Sequence, residues 1–375
     1  MQQRKVLAAL AACRTSVMGG HLHRCNACGV ETPLYNSCGD RHCPKCQAGD
    51  RAAWLEERAR ELLPVEYFHV VLTAPHELVP VAAAHPTVFY NLLFRAVRET
   101  LLEIAATPRH LGAHIGGLMV LHTWGQTLEL HPHVHVIVPG GGLSPDGTRW
   151  IPCKPGFFLP FRVLSSLFRG KLLAFLRQAY DRGELKWTGG LAPLADPRQF
   201  ARFLAPLYKK EWVVYVKPPW GGAEQTLKYL ARYTYRVAIS NERIESLEDG
   251  QVTFRYKDYA HGHRQRRMTL TAHEFLRRFM LHVLPRGFVR IRSFGFLANR
   301  VRDEQLTRCR QLLGTTEPAA AAAPGEPASP SVPGDDRLRC PHCGQGVLEL
   351  ISRTLRPRVP ELVDSTYQPR LFDSS

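Results

Sequence analysis

The chain has 375 residues and carries 49 lysines and arginines against 33 aspartates and glutamates, which gives a formal net charge of +16. A chain of this length can bury a sizeable core in two or three domains. Its basicity favours a polyanionic partner, and nucleic acid is the leading candidate. Because the sequence has no apolar run of about 18 residues and no secretory leader pattern, we expect a soluble, cytoplasmic protein with no membrane partner.

Hydrophobic periodicity predicts a helical start over residues 1–20, then a loop-rich cysteine segment to residue 47, and a charged helix over 50–63. In chain order, the later predicted elements are strand 68–73, helix 87–106, strands 117–124 and 132–139, helix 162–180, strand 212–217, helix 223–239, strands 252–256 and 267–271, helix 272–282, strand 288–293 and helix 299–313. The two strands at 117–124 and 132–139 are expected to be adjacent and antiparallel, because only a brief connection separates them.

The cysteine segment predicts a structural metal site. Six of the ten cysteines fall within the first 46 residues, and four of them form two Cys-x-x-Cys pairs fourteen residues apart. That spacing favours one tetrahedral zinc over a redox dithiol, because no β-α-β pattern precedes it. The predicted zinc ligands are Cys25, Cys28, Cys43 and Cys46. Cys38 or His42, which lie between the pairs, could replace one of these ligands.

The spacing of the remaining cysteines does not predict a complete metal site. Cys340 and Cys343 form half a site that could borrow Cys309 or His342, or bind nothing. Cys13 and Cys153 are interpreted as isolated thiols. The lysines and arginines around the N-terminal pairs could contact DNA phosphates, or could equally form a solvated charged face.

Residues 130–142 contain histidines at every second position leading into an apolar strand. In an extended segment His131, His133 and His135 project to one face while the intervening valines pack on the other. His133 and His135 could share one divalent ion, although a plain polar strand face is the alternative. The third ligand could come from Gln126, Glu129 or His131.

The predicted helix over 223–239 stacks two tyrosines, Tyr229 and Tyr233, at i and i+4. Beside them runs a basic stripe of Lys228, Arg232 and Arg236. Such tyrosines usually serve packing. Together with a metal held by histidines, however, they suit attack of a phenol oxygen on a phosphodiester, with the cations holding the DNA strand.

These motifs in this order resemble the two-tyrosine HUH transposases of the insertion sequence ninety-one type, in which a cysteine-rich zinc segment precedes the rest. The resemblance rests on His133-Val-His135, on Tyr229-x-x-x-Tyr233 and on blocks such as residues 121–126 and 290–300, and it runs along nearly the whole chain. It implies an α+β HUH endonuclease fold, with the histidine pair on a middle strand of a central antiparallel sheet. The tyrosine helix would pack across that sheet, and a small zinc-binding module would precede it.

The resemblance also implies an activity. Tyr229 or Tyr233 would attack single-stranded DNA at an element end, leaving a 5′-phosphotyrosine and a free 3′ hydroxyl. The other tyrosine would allow a second cleavage and transfer to target DNA by a rolling-circle route, without a nucleotide cofactor. The implied metals are structural zinc and catalytic magnesium or manganese. The alternatives are a plasmid replication initiator or relaxase of the same chemistry, and a zinc-dependent DNA-binding protein that performs no chemistry.

The expected domain order has four parts. Residues 1–63 form a zinc-binding, DNA-contacting module, and residues 64–313 form the catalytic domain. Residues 314–336, rich in Ala, Pro and Gly, are expected to be a flexible linker, and residues 337–375 a small cysteine-containing tail.

Overall fold

The computed structural model describes residues 2–46, 54–217, 238–259, 261–315 and 339–355. It divides into two compact units, one formed by Met1–Arg4 with Gln47–Gly325, the other by Lys5–Cys46 with Glu326–Ser375. The compact units therefore differ from the expected domain order, because the cysteine segment and the C-terminal tail share one unit. Within the described ranges, no helix is both long and apolar enough to cross a membrane.

The described residues contain the α-helices α1 Gln2–Ala12, α2 Val79–Ala84, α3 Pro86–Ala106, α4 Phe161–Asp181, α5 Pro197–Lys209, α6 Ala272–Met280 and α7 Arg302–Leu312. The strands are β1 Gly20–Cys25, β2 Glu31–Tyr35, β3 Tyr67–Thr73, β4 Gly116–Trp124, β5 Leu130–Pro139, β6 Gly141–Leu143, β7 Trp150–Pro152, β8 Val214–Lys217, β9 Ile244–Glu248, β10 Gln251–Asp258, β11 Arg264–Thr271, β12 Ile291–Gly295 and β13 Leu348–Thr354.

The unit that contains the cysteine segment is built on a three-stranded sheet of order β13-β1-β2. Both pairings in it are antiparallel. The tail strand β13 therefore forms an edge of the same sheet as the N-terminal hairpin. This pairing is not visible in the sequence, since more than 300 residues separate the two strands.

The larger unit is built on a five-stranded sheet of order β12-β4-β5-β3-β8. Each neighbouring pair is antiparallel. The histidine strand β5 is the middle strand, and β4 is its hairpin partner. The predicted α+β class, with a central antiparallel sheet that carries the histidine pair on a middle strand, is confirmed.

One face of this sheet is apolar and buried. Val134, Val136 and Val138 of β5 are fully buried in a core cluster that also contains Phe68 and side chains of α3 and α4. Alternation along the strand turns the histidines to the opposite face, as the period of two requires. The same face of the neighbouring strands carries His69 of β3, which lies opposite Ile137.

Several boundaries differ from the predicted ones. The predicted helix over 1–20 is α1 followed by a short 3₁₀ turn at Ser16–Met18. Helix α5 was not predicted, although the side chain of Asp196 caps it by accepting a hydrogen bond from the Arg198 N–H, and Pro197 opens its first turn. The predicted helix over 223–239 lies, as far as residue 237, outside the described residues.

Candidate metal centre and cysteine clusters

Three histidines converge on the face of the central sheet opposite the apolar core. His122 of β4 lies directly opposite His133 of β5 in the antiparallel register. The His122 and His135 ring centroids are 4.2 Å apart, and those of His133 and His135 are 4.9 Å apart. One ligand nitrogen from each ring lies within 4.8 Å of the others, which is compatible with a single shared metal ion.

Hydrogen bonds orient two of these rings. His133 Nδ1 lies 2.7 Å from the carbonyl oxygen of His131. A carbonyl can only accept, so His133 donates through Nδ1–H and keeps its lone pair on Nε2. His135 Nδ1 lies 2.7 Å from His69 Nε2.

The same rings are held neutral. Burial lowers the pKa of His133 to about 4 and that of His69 to about 4. Burial, with the nearby imidazoles, holds the pKa of His135 well below its usual value. Neutral imidazoles keep the lone pair that a metal requires, so His133 and His135 are in the form that binds a cation near neutral pH.

A cavity of about 290 Å³ opens over the three histidines. Besides them, its walls include Trp124, Gln126, Ala238, Arg243 and Tyr259. The cavity therefore combines a cation site with a guanidinium and two aromatic rings. Aromatic faces and cations are the groups that bind single-stranded nucleic acid.

The cysteines form two separate clusters of four. In the first, made by Cys13, Cys38, Cys43 and Cys46, all sulfurs lie within 4.8 Å of one another. The distances from Cys13 Sγ to Cys46 Sγ and to Cys43 Sγ are both 3.5 Å. The second is made by Cys25, Cys28, Cys340 and Cys343. Four thiols at such separations fit the donor set of a structural zinc.

Comparison with known proteins gives these sites a context. The family described as "Putative transposase" matches residues 116–305, and the family described as "Transposase zinc-binding domain" matches residues 1–74. A Sinorhizobium fredii protein named "Putative transposase y4qJ" is 52% identical over 382 residues, which cover 100% of this chain and 93% of the relative. The chain belongs to this transposase family.

A second relative of the transposase is the "Transposase for insertion sequence element IS801" of Pseudomonas savastanoi pv. phaseolicola. It is 28% identical over 347 residues, which cover 89% of this chain and 80% of that protein. The predicted resemblance to transposases of the insertion sequence ninety-one type is confirmed, and so is the presence of a zinc-binding domain. Among solved structures, a conjugative relaxase TrwC in complex with OriT DNA matches with a TM-score of 0.24 and 12% identity, over 44% of this chain and 71% of that one.

The structure does not bring the four predicted zinc ligands, Cys25, Cys28, Cys43 and Cys46, into one group. The structure groups Cys25 and Cys28 with the C-terminal pair, whereas Cys43 and Cys46 join Cys13 and Cys38. The sequence predicts an isolated thiol at Cys13, because nothing in the spacing relates it to a Cys-x-x-Cys pair. The structure instead places Cys13 in a cluster. His42 is buried beside Asp40, with its Nδ1 2.8 Å from the carboxylate, and is not part of either cluster.

The third member of the histidine group is His122. The sequence predicts Gln126, Glu129 or His131 as the third ligand of this transposase, and none of them belongs to the group. Gln126 is engaged elsewhere, since its side-chain oxygen accepts a hydrogen bond from the Lys257 N–H at 3.3 Å. The Glu129 side chain is 66% exposed and 3.8 Å from Arg278. His131 lines the cavity but is exposed and outside the three-histidine group.

The predicted nucleophiles and the predicted DNA-binding cations lie outside the described residues. They are Tyr229, Tyr233, Lys228, Arg232 and Arg236. The described residues on either side can be located. Lys217, at the end of β8, pairs with His69 of β3, and Ala238 lines the cavity over the histidines.

Proposed function

We propose that this transposase cleaves and rejoins single-stranded DNA at the ends of an insertion sequence through a 5′-phosphotyrosine intermediate, and so moves it by a rolling-circle route. The observation that carries the proposal is the convergence of three imidazoles, from His122, His133 and His135, under a cavity that also has aromatic and cationic walls. The DNA partners are the element ends and the target, in the bacterial cytoplasm.

His122, His133 and His135 would hold one Mg²⁺ or Mn²⁺ ion. Imidazole donors make Mn²⁺ chemically the better match, since Mg²⁺ prefers oxygen ligands and retained water. When bound, the ion polarises the non-bridging oxygens of the scissile phosphate and offsets the negative charge that grows in the transition state.

The phenol oxygen of Tyr229 or Tyr233 attacks the phosphorus. The bond from phosphorus to the 3′ oxygen breaks, the tyrosine proton leaves to solvent, and the 3′ oxygen takes up a proton to become a free hydroxyl. The new phosphotyrosine bond conserves the energy of the phosphodiester, so the reverse attack by a 3′ hydroxyl rejoins DNA without a nucleotide. Lys228, Arg232 and Arg236 would bind phosphates along the strand.

Two described residues support a role of the histidines in metal binding and of the tyrosines in attack on the DNA. Lys217, at the end of the edge strand β8, lies opposite His69, and Ala238 lines the histidine cavity, so the two described residues that flank the tyrosine-bearing segment are close to the histidine site. A structural zinc bound by Cys13, Cys38, Cys43 and Cys46 would stabilise the zinc-binding domain.

The test incubates the full chain and Mn²⁺ with single-stranded oligonucleotides from each end of its element, and detects covalent protein–DNA adducts on denaturing gels. We expect an adduct with the wild type and none with the Tyr229→Phe/Tyr233→Phe double variant. Tyr208→Phe is the matched control, because Tyr208 is an exposed tyrosine of α5 that does not line the cavity. An adduct that survives the double change, or no adduct with either end, would contradict the proposal.

A second pair of variants separates metal from nucleophile. His133→Ala/His135→Ala is expected to abolish the adduct while the protein still binds the oligonucleotide. If the double histidine variant forms adduct at the wild-type rate, the histidines do not act as proposed.

A further inference from the structure

Two turns of the same construction occur at opposite ends of the chain. One has the sequence Cys-Asn-Ala-Cys-Gly from Cys25, and the other has Cys-Pro-His-Cys-Gly from Cys340. In each, the glycine N–H bonds to the carbonyl of the first cysteine, at 3.0 Å in the first turn and 2.9 Å in the second. Both glycines have positive φ, +72° and +68°, a conformation that other residues adopt at a cost. The two segments therefore form matching knuckles.

Strand pairing holds the two knuckles together. Strands β1 and β13 pair antiparallel, with Cys25 opposite Leu348. Just beyond the strand, the Asn26 N–H donates to the Val347 carbonyl at 3.1 Å, and the Val347 N–H donates to Asn26 Oδ1 at 3.0 Å. Backbone pairing and the Asn26 side chain thus fix the register of the two knuckles.

The four sulfurs have the separations of a metal tetrahedron. Cys25 Sγ is 3.7 Å from Cys343 Sγ, and Cys28 Sγ is 3.8 Å from Cys340 Sγ. A tetrahedral zinc with Zn–S bonds of about 2.3 Å separates its sulfurs by about 3.8 Å. A disulfide would require about 2.05 Å, and all four cysteines are free thiols.

The approach of the knuckles depends on a third glycine. A Cβ added at Gly346 would lie 2.4 Å from Cys25 Sγ and 2.7 Å from the Ala27 Cβ, too close for any side chain. The Gly346 N–H also donates to Cys343 Sγ at 3.4 Å, and the Ala27 N–H donates to Cys25 Sγ at 3.4 Å. Amide donors of this kind stabilise thiolates, the form that binds metal.

We infer that Cys25, Cys28, Cys340 and Cys343 form a second structural zinc site, distinct from the cluster of Cys13, Cys38, Cys43 and Cys46. It joins the N-terminal hairpin to the C-terminal tail across more than 300 residues of sequence. The matched zinc-binding domain spans residues 1–74 and therefore contains only one of the two cysteine pairs of this site. The C-terminal tail thus supplies two of the four ligands of this zinc site.

Metal analysis of the purified full chain tests this inference without any DNA, so its failure is distinct from failure of the proposed function. We expect two zinc ions per chain in the wild type and one in Cys340→Ser/Cys343→Ser. The matched control, Cys153→Ala/Cys309→Ala, changes two cysteines outside both clusters and should keep two. A Cys340→Ser/Cys343→Ser protein with as much zinc as the wild type would overturn the inference.

A second measurement covers the case in which the serine variant does not fold. A protease recognition sequence replaces residues 320–327 of otherwise wild-type protein, and the cleaved sample is passed over a sizing column. We expect the C-terminal fragment to co-elute with the rest in zinc, and to separate at a lower urea concentration once the zinc is chelated, when only the pairing of β1 with β13 remains. Separation while two zinc ions remain bound, or separation at the same urea concentration with and without zinc, contradicts a zinc that joins the two ends.

A substitution at Gly346 tests the site without removing any cysteine thiol. Gly346→Ala should lower the affinity of one of the two zinc ions by at least tenfold in a chelator competition. The matched change Gly170→Ala, at a glycine of α4 with nothing within 4 Å of the added Cβ, should leave both affinities unchanged. Equal zinc affinity in the wild type and Gly346→Ala would contradict the close approach on which the site depends.

Discussion

The ring nitrogens His69 Nε2 and His135 Nδ1 lie 2.7 Å apart, and the two imidazole planes are within 6° of parallel. If His135 offers its Nε2 lone pair to a metal, its Nδ1 carries the proton and donates a hydrogen bond to His69 Nε2. His69 is therefore expected to act as a positioning residue that fixes the tautomer and the orientation of a ligand.

His69→Leu removes this acceptor, so we expect Mn²⁺ affinity to fall by ~10–100-fold, as is usual for outer-shell partners of metal ligands. His69→Gln retains an amide oxygen near the same point and should recover much of the loss. Electron paramagnetic resonance of free Mn²⁺, with zinc-loaded protein, measures the affinity. His85→Leu, at a histidine whose ring contacts Trp187, is the control. Unchanged affinity in His69→Leu would refute the positioning role.

The identity of the third metal ligand gives a second prediction. His122→Ala removes a ring that lies 4.2 Å from His135 and should cost more Mn²⁺ affinity than the loss of an outer partner does. His131→Ala, on the same strand face but outside the group, should bind Mn²⁺ almost as the wild type does. The same resonance titration compares them. The assignment fails if His131→Ala is the more damaging change.

The sequence predicts the parts of this site that depend on neighbouring residues, and it misses those that depend on contacts between strands. Alternation along one strand is local, so the two faces of β5 followed directly from the pattern of His133, Val134 and His135. His122 could not be found in that way. It faces His133 through the antiparallel register of β4 and β5, and that register shifts between His122 and Trp124, an irregularity that the sequence pattern does not reveal.

The cysteines illustrate the same limit over a longer distance. Sequence spacing joins nearby Cys-x-x-Cys pairs, and it predicted one site from Cys25, Cys28, Cys43 and Cys46. The structure instead pairs the first two with Cys340 and Cys343, because β1 and β13 are neighbours in a sheet. A contact between strands at the two ends of a chain leaves no local signal, except that both knuckles share the Cys-x-x-Cys-Gly pattern.

Tyr259 is predicted to contribute to DNA binding, an expectation that rests on the proposed function. This residue is 57% exposed and lines the cavity over the histidines. Tyr259→Ala should weaken binding of a single-stranded oligonucleotide by ~1–3 kcal/mol, the usual contribution of a base stacked on an aromatic ring, whereas Tyr259→Phe should bind normally. Fluorescence anisotropy at one fixed salt concentration measures this, in a Tyr229→Phe/Tyr233→Phe background that prevents cleavage.

Tyr208→Ala is the control for this change. Tyr208 is 46% exposed on α5 and does not line the cavity. If Tyr208→Ala and Tyr259→Ala weaken binding equally, the effect is not one of stacking in the cavity.

His282 gives a prediction about stability against pH. It is buried, its Nε2–H donates to the Leu128 carbonyl at 3.0 Å, and its Nδ1 lies 3.2 Å from the Thr123 hydroxyl. Both ring nitrogens are thus satisfied in the neutral form, and the ring links the end of β4 to the loop that leads into β5. Burial lowers the pKa of His282 to about 4.

The folded pKa lies below the value of about 6.5 in an unfolded chain, so between these two values the unfolded state binds more protons. The free energy of unfolding should therefore fall as the pH drops from about 6.5 towards 4, by up to ~3 kcal/mol from this one residue. In His282→Gln, which can still donate to the Leu128 carbonyl, that part of the loss should disappear. Urea unfolding at pH 7, 6 and 5, compared with the exposed-site control His76→Gln, measures it. An acid-induced loss of equal size in His282→Gln and the wild type would show that His282 is not a source of the pH dependence.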